Sequence, residues 1–337
     1  MIIVMKAHAP EKQVQRIIDE LRGQNLQPMP LIGTERVVIA VIGDERILDV
    51  SHLSSLPGVS KVMPVLQPYK LASRETKWEN TIIKIKDVEI GGDKIVMMVG
   101  PCSVESKKQI EESAAIIHKA GIRILRGGAF KPRTTPYSFQ GLGEKGLKLL
   151  KQAAAPYNMI VVTEVMDPRD VPLISKYADI LQIGARNMQN FNLLKEVGKT
   201  KKPILLKRGL SSTIKEFLLA AEYIMSEGNS EVILCERGIR TFETETRNTL
   251  DISVVPLLKE LSHLPVVVDP SHATGKRTLV PAVSRAAIAA GADGLIVEMH
   301  PHPDEALSDG DQSITPDMLM PMMEEIKAIT KAIGRSI

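Results

Sequence analysis

The sequence predicts an α/β protein: a (β/α)₈ barrel preceded by a small α+β domain. Three observations predict it. From Thr81 onward, short β-branched runs alternate with helical stretches about eight times in roughly 250 residues, the size and cadence of a TIM barrel. Nearly every one of those runs ends in a charged or metal-capable residue. The first 66 residues instead follow a β-α-β-β-α-β order, the split βαβ or ferredoxin-like pattern.

In the first unit, Met1–Met5 is a short apolar strand. Glu11–Gln24 has helical spacing, with Val14, Ile17, Ile18 and Leu21 on one face. Leu31–Ile32 and Val37–Ile42 read as strands around the turn Gly33-Thr34. Leu48–Leu56 reads as a second helix, stopped by Pro57-Gly58, and Val59–Val65 as the last strand. Residues 67–80 are polar and contain Pro68, Lys70, Arg74 and Lys77, as a linker would. The expected domains are therefore 1–66 and 81–337.

The second unit opens with a hairpin, Ile82–Ile85 with Val88–Ile90, expected to turn at Gly91-Gly92. Eight barrel strands follow: Ile95–Val99, Ile122–Leu125, Ile160–Thr163, Ile180–Ile183, Ile204–Leu206, Val232–Leu234, Val266–Val268 and Leu295–Val297. They are almost continuously apolar, as strands covered on both faces must be. Asp167-Pro168 and Thr315-Pro316 place a capping side chain before proline at the first helical position. Thr213 with Glu216 fits a capping box, and Gly228 fits the far end of that helix. An open doubly wound sheet is disfavoured by the even spacing and by the absence of a Gly-x-Gly-x-x-Gly turn.

A net charge of +3 gives no general case for a nucleic-acid or membrane partner, and 3% aromatic residues leave little for base stacking. Cys102 and Cys235 sit in unlike settings, which argues against a disulfide framework and suits a reducing cytosol. Met1–Lys6 is too short for a signal segment, and no apolar run reaches the length of a membrane span. A cytoplasmic location is expected.

Two chemical classes collect at the strand ends, which in a barrel converge on one face. Cys102, His272, Glu298 and a nearby Asp offer thiolate, imidazole and carboxylates to a divalent transition ion. Asp304, Asp309 and Asp311 are all candidates for that Asp, and His300 and His302 rank below His272 as ligands. Cys235 lies within an apolar strand and reads as core. The methionines of the last segment, Met318, Met320, Met322 and Met323, read as helix packing. The second class is cationic: Arg126, Lys131, Arg133, Arg186, Lys207, Arg237 and, less securely placed, Arg277. So many forked donors imply a substrate set with several phosphate or carboxylate groups. Arg208, Glu236 and Glu164 also stand at strand ends.

Four motifs, Gly100-Pro101-Cys102-Ser103, Lys131-Pro132-Arg133-Thr134, Gly184-Ala185-Arg186-Asn187 and Asp269-Pro270-Ser271-His272, together resemble class I synthases of 3-deoxy-D-arabino-heptulosonate 7-phosphate (DAHP). The resemblance runs from Ile82 to the C-terminus, and the first unit resembles the ferredoxin-like regulatory domain of one subgroup. The related 3-deoxy-D-manno-octulosonate 8-phosphate (KDO8P) synthases differ at Lys131-Pro132-Arg133-Thr134, where they resemble Lys-Ala-Asn-Arg-Ser-Ser. That segment addresses the aldose phosphate. The family usually has Ser where Thr135 stands, and the hydroxyl is retained.

The resemblance implies a DAHP synthase, a transferase at the first step of the shikimate pathway to aromatic amino acids. KDO8P synthesis from arabinose 5-phosphate, or non-catalytic amino-acid sensing, is the alternative. It implies a divalent ion (Mn, Fe, Co, Zn or Cd) on Cys102, His272, Glu298 and Asp309. It implies phosphoenolpyruvate on Arg126, Lys131, Arg186, Lys207 and Arg237, with Gly184 and Ala185 beside them, and erythrose 4-phosphate on Arg133, Thr134 and Thr135. Catalytic roles fall to Lys131, Glu164 and His272. Carbon 3 of phosphoenolpyruvate attacks the aldehyde, water adds to carbon 2, and phosphate leaves with C–O cleavage. An aromatic amino acid effector, tyrosine or phenylalanine, acting through the first unit and a homotetrameric assembly complete the expectation.

Overall fold

A computed structural model describes residues 1–43, 45–63 and 68–337. They form two units: Met1–Asn80 with Glu260–His263, and Thr81–Lys259 with Leu264–Ile337. In the smaller unit the order is β1 (Ile2–Met5), α1 (Glu11–Gly23), β2 (Gln27–Ile32), β3 (Val37–Ile42), α2 (Val50–Ser55) and β4 (Val59–Met63). The sheet runs β2-β3-β1-β4 with antiparallel pairing, which is the ferredoxin-like topology. Helix α1 buries Val14, Ile17, Ile18 and Leu21, the face its spacing marked, in one cluster with Ile3, Met5, Ile39 and Val41.

Strand β2 begins four positions before the expected Leu31 because Pro28 and Pro30 read as strand breakers. An edge strand tolerates them: they share one parity opposite Val41 and Ile39, and only one side of β2 is paired. Helix α2 starts later than expected because the Asp49 carboxylate accepts from the Ser51 and His52 amides and sets the N-terminus there. The last two residues of the expected strand Val59–Val65, and the 66/67 boundary, lie outside the described residues.

In the larger unit β5 (Ile83–Ile85) and β6 (Val88–Ile90) form an antiparallel hairpin. Its turn is Lys86-Asp87, not Gly91-Gly92 as expected. Lys86 takes the positive φ (52°) that a two-residue loop needs, and the glycines follow the second strand. Then β7 (Val96–Gly100), β8 (Ile124–Arg126), β9 (Ile160–Val165), β10 (Ile180–Ile183), β11 (Ile204–Lys207), β12 (Val232–Glu236), β13 (Val266–Val268) and β14 (Gly294–Glu298) close into a parallel barrel. Between and after them come α3 (Lys107–Lys119), α4 (Glu144–Ala154), α5 (Val171–Ser175), α6 (Phe191–Gly198), α7 (Ile214–Ser226), α8 (Val254–Leu261), α9 (Pro270–Thr274), α10 (Val280–Ala289) and α11 (Pro316–Ala332).

Asp167 caps the turn at Pro168–Asp170, and the Thr213–Glu216 capping box opens α7. Thr315 precedes Pro316, but its side chain makes no capping bond. Met322 and Met323 are buried by α11, as helix packing requires, whereas Met320 is exposed and does not pack as expected. Among the described residues, no helix is long and apolar enough to cross a membrane.

The barrel's period of two builds the site. One parity turns inward and forms the lower core from Val96, Met98, Ile124, Ile160, Val162, Ile180, Leu205, Ile233, Cys235, Val267 and Ile296, floored by Ile83, Ile85 and Ile90 of the hairpin. The same rows continued two residues toward the strands' C-terminal ends carry Arg126, Glu164, Gln182, Lys207, Arg237, Asp269 and Glu298. An apolar floor thus passes directly into a charged upper layer.

Candidate active site at the barrel mouth

A cavity of about 330 Å³ opens over that layer. It is lined by Arg126, Lys131, Arg133, Thr134, Thr135, Glu164, Gly184, Ala185, Arg186, Lys207, Arg237, His272 and Asp309, so every substrate-site candidate except Arg277 faces one space. Arg126 is buried, and its Nη1 donates to Pro101 O at 2.8 Å and to Glu298 Oε1 at 2.9 Å. Lys131 Nζ reaches back from the loop after β8 to donate to Cys102 O at 2.8 Å and contact Cys102 Sγ at 3.0 Å. Gly128 makes room for it: a Cβ there would come within 2.9 Å of Lys131 Nζ and of Cys102 O. Gly184 does the same for Glu164, whose carboxylate occupies the space a Cβ would fill. Gln182 Nε2 donates to Glu164 Oε2 at 3.3 Å.

Lys207 forms a buried ion pair with Asp269. Burial alone would raise the Asp269 pKa, but His272 and Lys207 hold it well below the usual carboxylate range. Two guanidinium nitrogens, Arg126 Nε and Arg133 Nη2, are buried with no partner. Leaving such donors unmet costs about 1–3 kcal/mol each. An anion in the cavity is the natural acceptor.

Beside this cup, Cys102 Sγ and carboxylate oxygens of Glu298 and Asp309 lie within 4.8 Å of one another. Cys102 Sγ is 3.1 Å from Asp309 Oδ2. His272 lies against the group, with Nε2 3.5 Å from Glu298 Oε1 and Nδ1 2.8 Å from Asp269 Oδ2. Burial lowers the His272 pKa against the pull of Asp269 and Glu298. Burial pushes the Cys102 thiol up to about 12, with Glu298 adding to it and Lys131 opposing. Asp309 is held at about 2 by Arg247 and His272 against its own burial. The thiol and two carboxylates converge on one point and fit a divalent transition ion in type and spacing, with the His272 imidazole beside Glu298 but outside that 4.8 Å group.

Other candidates lie elsewhere. Arg277 pairs with Asp304 at 2.9 Å and does not line the cavity. Arg208 and Glu236 have the outward parity and pair with each other at 2.9 Å. His300 faces Glu105 at 3.4 Å and His302 faces Glu112 at 3.5 Å. Cys235 is part of the lower core. Gln182, Arg240, Arg247 and Asn248 line the cavity but escaped the sequence reading. A signal existed for each: Gln182 is the one polar residue of an apolar strand, and the other three sit in an arginine-bearing loop between β12 and α8.

The closed barrel and this mouth define an enzyme of the barrel class that acts on polyanionic substrates. Residues 77–334 match the DAHP synthetase I family, and residues 1–67 match the DAHP synthase ferredoxin-like domain. The chain belongs to the DAHP synthetase I family, and its activity is that of a DAHP synthase. It is 52% identical over 334 residues to phospho-2-dehydro-3-deoxyheptonate aldolase of Thermotoga maritima, covering 99% of both chains. The crystal structure of that DAHP synthase superimposes with a TM-score of 0.80 at 51% identity, over 99% of this chain and 98% of that one. A truncated form of the Thermotoga maritima enzyme matches with a TM-score of 0.75, covering 80% of this chain and 98% of its own. The 2-dehydro-3-deoxyphosphooctonate aldolase of Francisella tularensis subsp. holarctica is 32% identical over 250 residues, 68% of this chain and 90% of that one. The first reading of the motifs therefore stands, and the octulosonate alternative does not.

Proposed function

We propose that the cavity binds phosphoenolpyruvate and erythrose 4-phosphate together and joins them to give DAHP and inorganic phosphate. The observation that carries this reading is the convergence of Arg126, Lys131, Arg133, Arg186, Lys207 and Arg237 on one space. Arg126, Lys131, Arg186, Lys207 and Arg237 hold the carboxylate and phosphate of phosphoenolpyruvate, with Gly184 and Ala185 beside them. Arg133, Thr134 and Thr135 hold the aldose phosphate. Fixing both anions turns a bimolecular encounter into an oriented one.

Lys131 Nζ, already held between two atoms of Cys102, protonates the new alkoxide. Glu164, steadied by Gln182, accepts a proton from the water that adds to carbon 2. Cys102, His272, Glu298 and Asp309 would hold a divalent ion, whose contribution is Lewis-acid polarisation of the aldehyde oxygen. The test is a product assay with each aldose phosphate. Erythrose 4-phosphate should exceed arabinose 5-phosphate in kcat/KM by roughly 10²-fold or more, since a site built for one polar pattern rejects another. Preference for the five-carbon sugar would overturn the substrate assignment.

Among the described residues, the smaller unit contributes none of those lining the cavity, which supports a regulatory role for it. We propose that tyrosine or phenylalanine binds there and lowers the barrel's activity. Removing residues 1–66 should leave a folded, active barrel that tyrosine no longer inhibits, as inhibition curves of the two forms would show. Undiminished tyrosine sensitivity of the truncated form would place the effector site in the barrel.

A further inference from the structure

The loop between β12 and α8 touches two members of the candidate metal set directly and a third through Gln312. Arg247 Nη1 donates to Asp309 Oδ1 at 3.2 Å, while Asp309 Oδ2 faces Cys102 Sγ. The guanidinium thus takes the outer oxygen and leaves the inner one turned toward the thiol. The same Nη1 donates to Gln312 Oε1 at 2.6 Å, and Gln312 Nε2 in turn donates to Glu298 Oε2. An amide has one accepting and one donating end, and a guanidinium only donates. Arg247 therefore dictates that Gln312 presents its NH₂ to Glu298. Next along the chain, Asn248 Nδ2 donates to His272 O at 2.8 Å. The Arg247 and Asn248 amides bond to Thr274 O at 3.0 Å and Ala273 O at 2.8 Å, tying down the short helix that carries His272.

We infer that Arg247 and Asn248 form a positioning clasp that orients Asp309, Glu298 and His272 for a divalent ion. This rests on the ligand set proposed above. The two residues touch the ligands rather than the ion, and groups in that relation typically govern 10–100-fold in metal affinity. Asp309 gives such a clasp a purpose: it sits at φ 53°, in the left-handed region, on a turn whose short helix is only Gly310–Gln312.

The experiment is calorimetric titration of Mn²⁺ into chelator-stripped full-length protein, for the wild type, Arg247→Met, Arg247→Lys and Asn248→Ala. Arg247→Met should weaken Mn²⁺ binding by about 10–100-fold. Arg247→Lys should recover only part of that loss, because a rotatable, strongly hydrated ammonium does not hold its donors toward Asp309 and Gln312 as the planar Nη1 does. Asn248→Ala should weaken binding by a smaller factor. The melting temperature of the stripped Arg247→Met protein should stay within a few degrees of wild type, since Arg247 is 35% exposed. Wild-type affinity in Arg247→Met would overturn the clasp while leaving the ligand set intact. Tighter binding would also overturn it, by showing that the guanidinium only repels the ion. A wild-type protein that binds no Mn²⁺ would overturn both the clasp and the ligand set. Should Arg247→Met fail to fold, the comparison of Arg247→Lys with wild type decides, and equal affinities would overturn the clasp.

Discussion

Cys102→Ala and His272→Ala are each expected to lose divalent-ion binding and turnover together, by roughly 10³-fold or more in kcat, whereas Cys235→Ala keeps both. The magnitude follows from the several kcal/mol that Lewis-acid stabilisation supplies, at about 1.4 kcal/mol per factor of ten. The contrast between the two cysteines is the stronger part. Both thiols are buried, and burial pushes both pKa values up. Cys102 touches Lys131, Ser308 and Asp309, whereas Cys235 is packed among the apolar side chains of the barrel floor. Binding an ion at Cys102 must displace the thiol proton, so apparent affinity should rise with pH. Metal content by elemental analysis, measured beside turnover, checks the pairing. Full activity of the wild type in excess chelator, with no metal retained, would end the proposal.

Lys207→Met is expected to lower the melting temperature by on the order of 10 °C and to weaken phosphoenolpyruvate binding. Lys207 and Asp269 are 4% and 1% exposed, so removing the ammonium leaves a buried carboxylate held by the His272 amide and ring alone. Breaking a buried pair in this way costs about 3–5 kcal/mol. An exposed pair such as Lys148–Glu144 serves as the control, and Lys148→Met should shift the melting temperature very little. The sign of the pH dependence is fixed by the folded-state pKa of Asp269, which lies below its unfolded value. Its stabilising contribution is complete above the ordinary carboxylate range, near pH 4, and is lost as pH falls through the lower folded value. In the variant, without Lys207, the Asp269 pKa rises, so acidification neutralises it sooner. The stability gap between wild type and variant should therefore be constant near neutrality and narrow toward acid. A gap that widens on acidification would contradict this account.

Most of the barrel was legible because its signals are local. Val266–Val268 and Ile180–Ile183 are short apolar runs at the bounds the strands adopt, and the Thr213–Glu216 box marks a helix start within four residues. What was misread depends on neighbours. Whether Pro28 and Pro30 break a strand or sit in one depends on β2 being at an edge, which a single run cannot tell. Lys86 gives no warning that it will take a left-handed turn in place of the glycines nearby. The site divides in the same way. Arg126, Lys207 and Glu298 could be read from strand ends because the fold itself aims them. Arg247 reaches Asp309 across 62 positions of sequence, from the interior of a loop with no periodicity to say where it points. Arg208 and Lys207 are adjacent and both cationic, and only strand parity separates the one in the cavity from the one paired with Glu236.

That parity sets what kind of change this lineage can absorb. Substituting a residue of the upper inward layer alters the chemistry of the mouth and leaves the floor of Ile, Val and Met untouched. Deleting one residue within β12 would do something different in kind. Past the deletion the outward and inward rows would trade places, Glu236 would take the inward slot of Cys235 in the apolar floor, and Arg237 would turn toward the helices. Strands in such an enzyme are therefore frozen in length, whereas a change of residue at a tip alters the chemistry and leaves the register intact. Length can change more readily in the loops that follow them, wherever a loop does not itself hold a residue of the site as the one carrying Arg247 does.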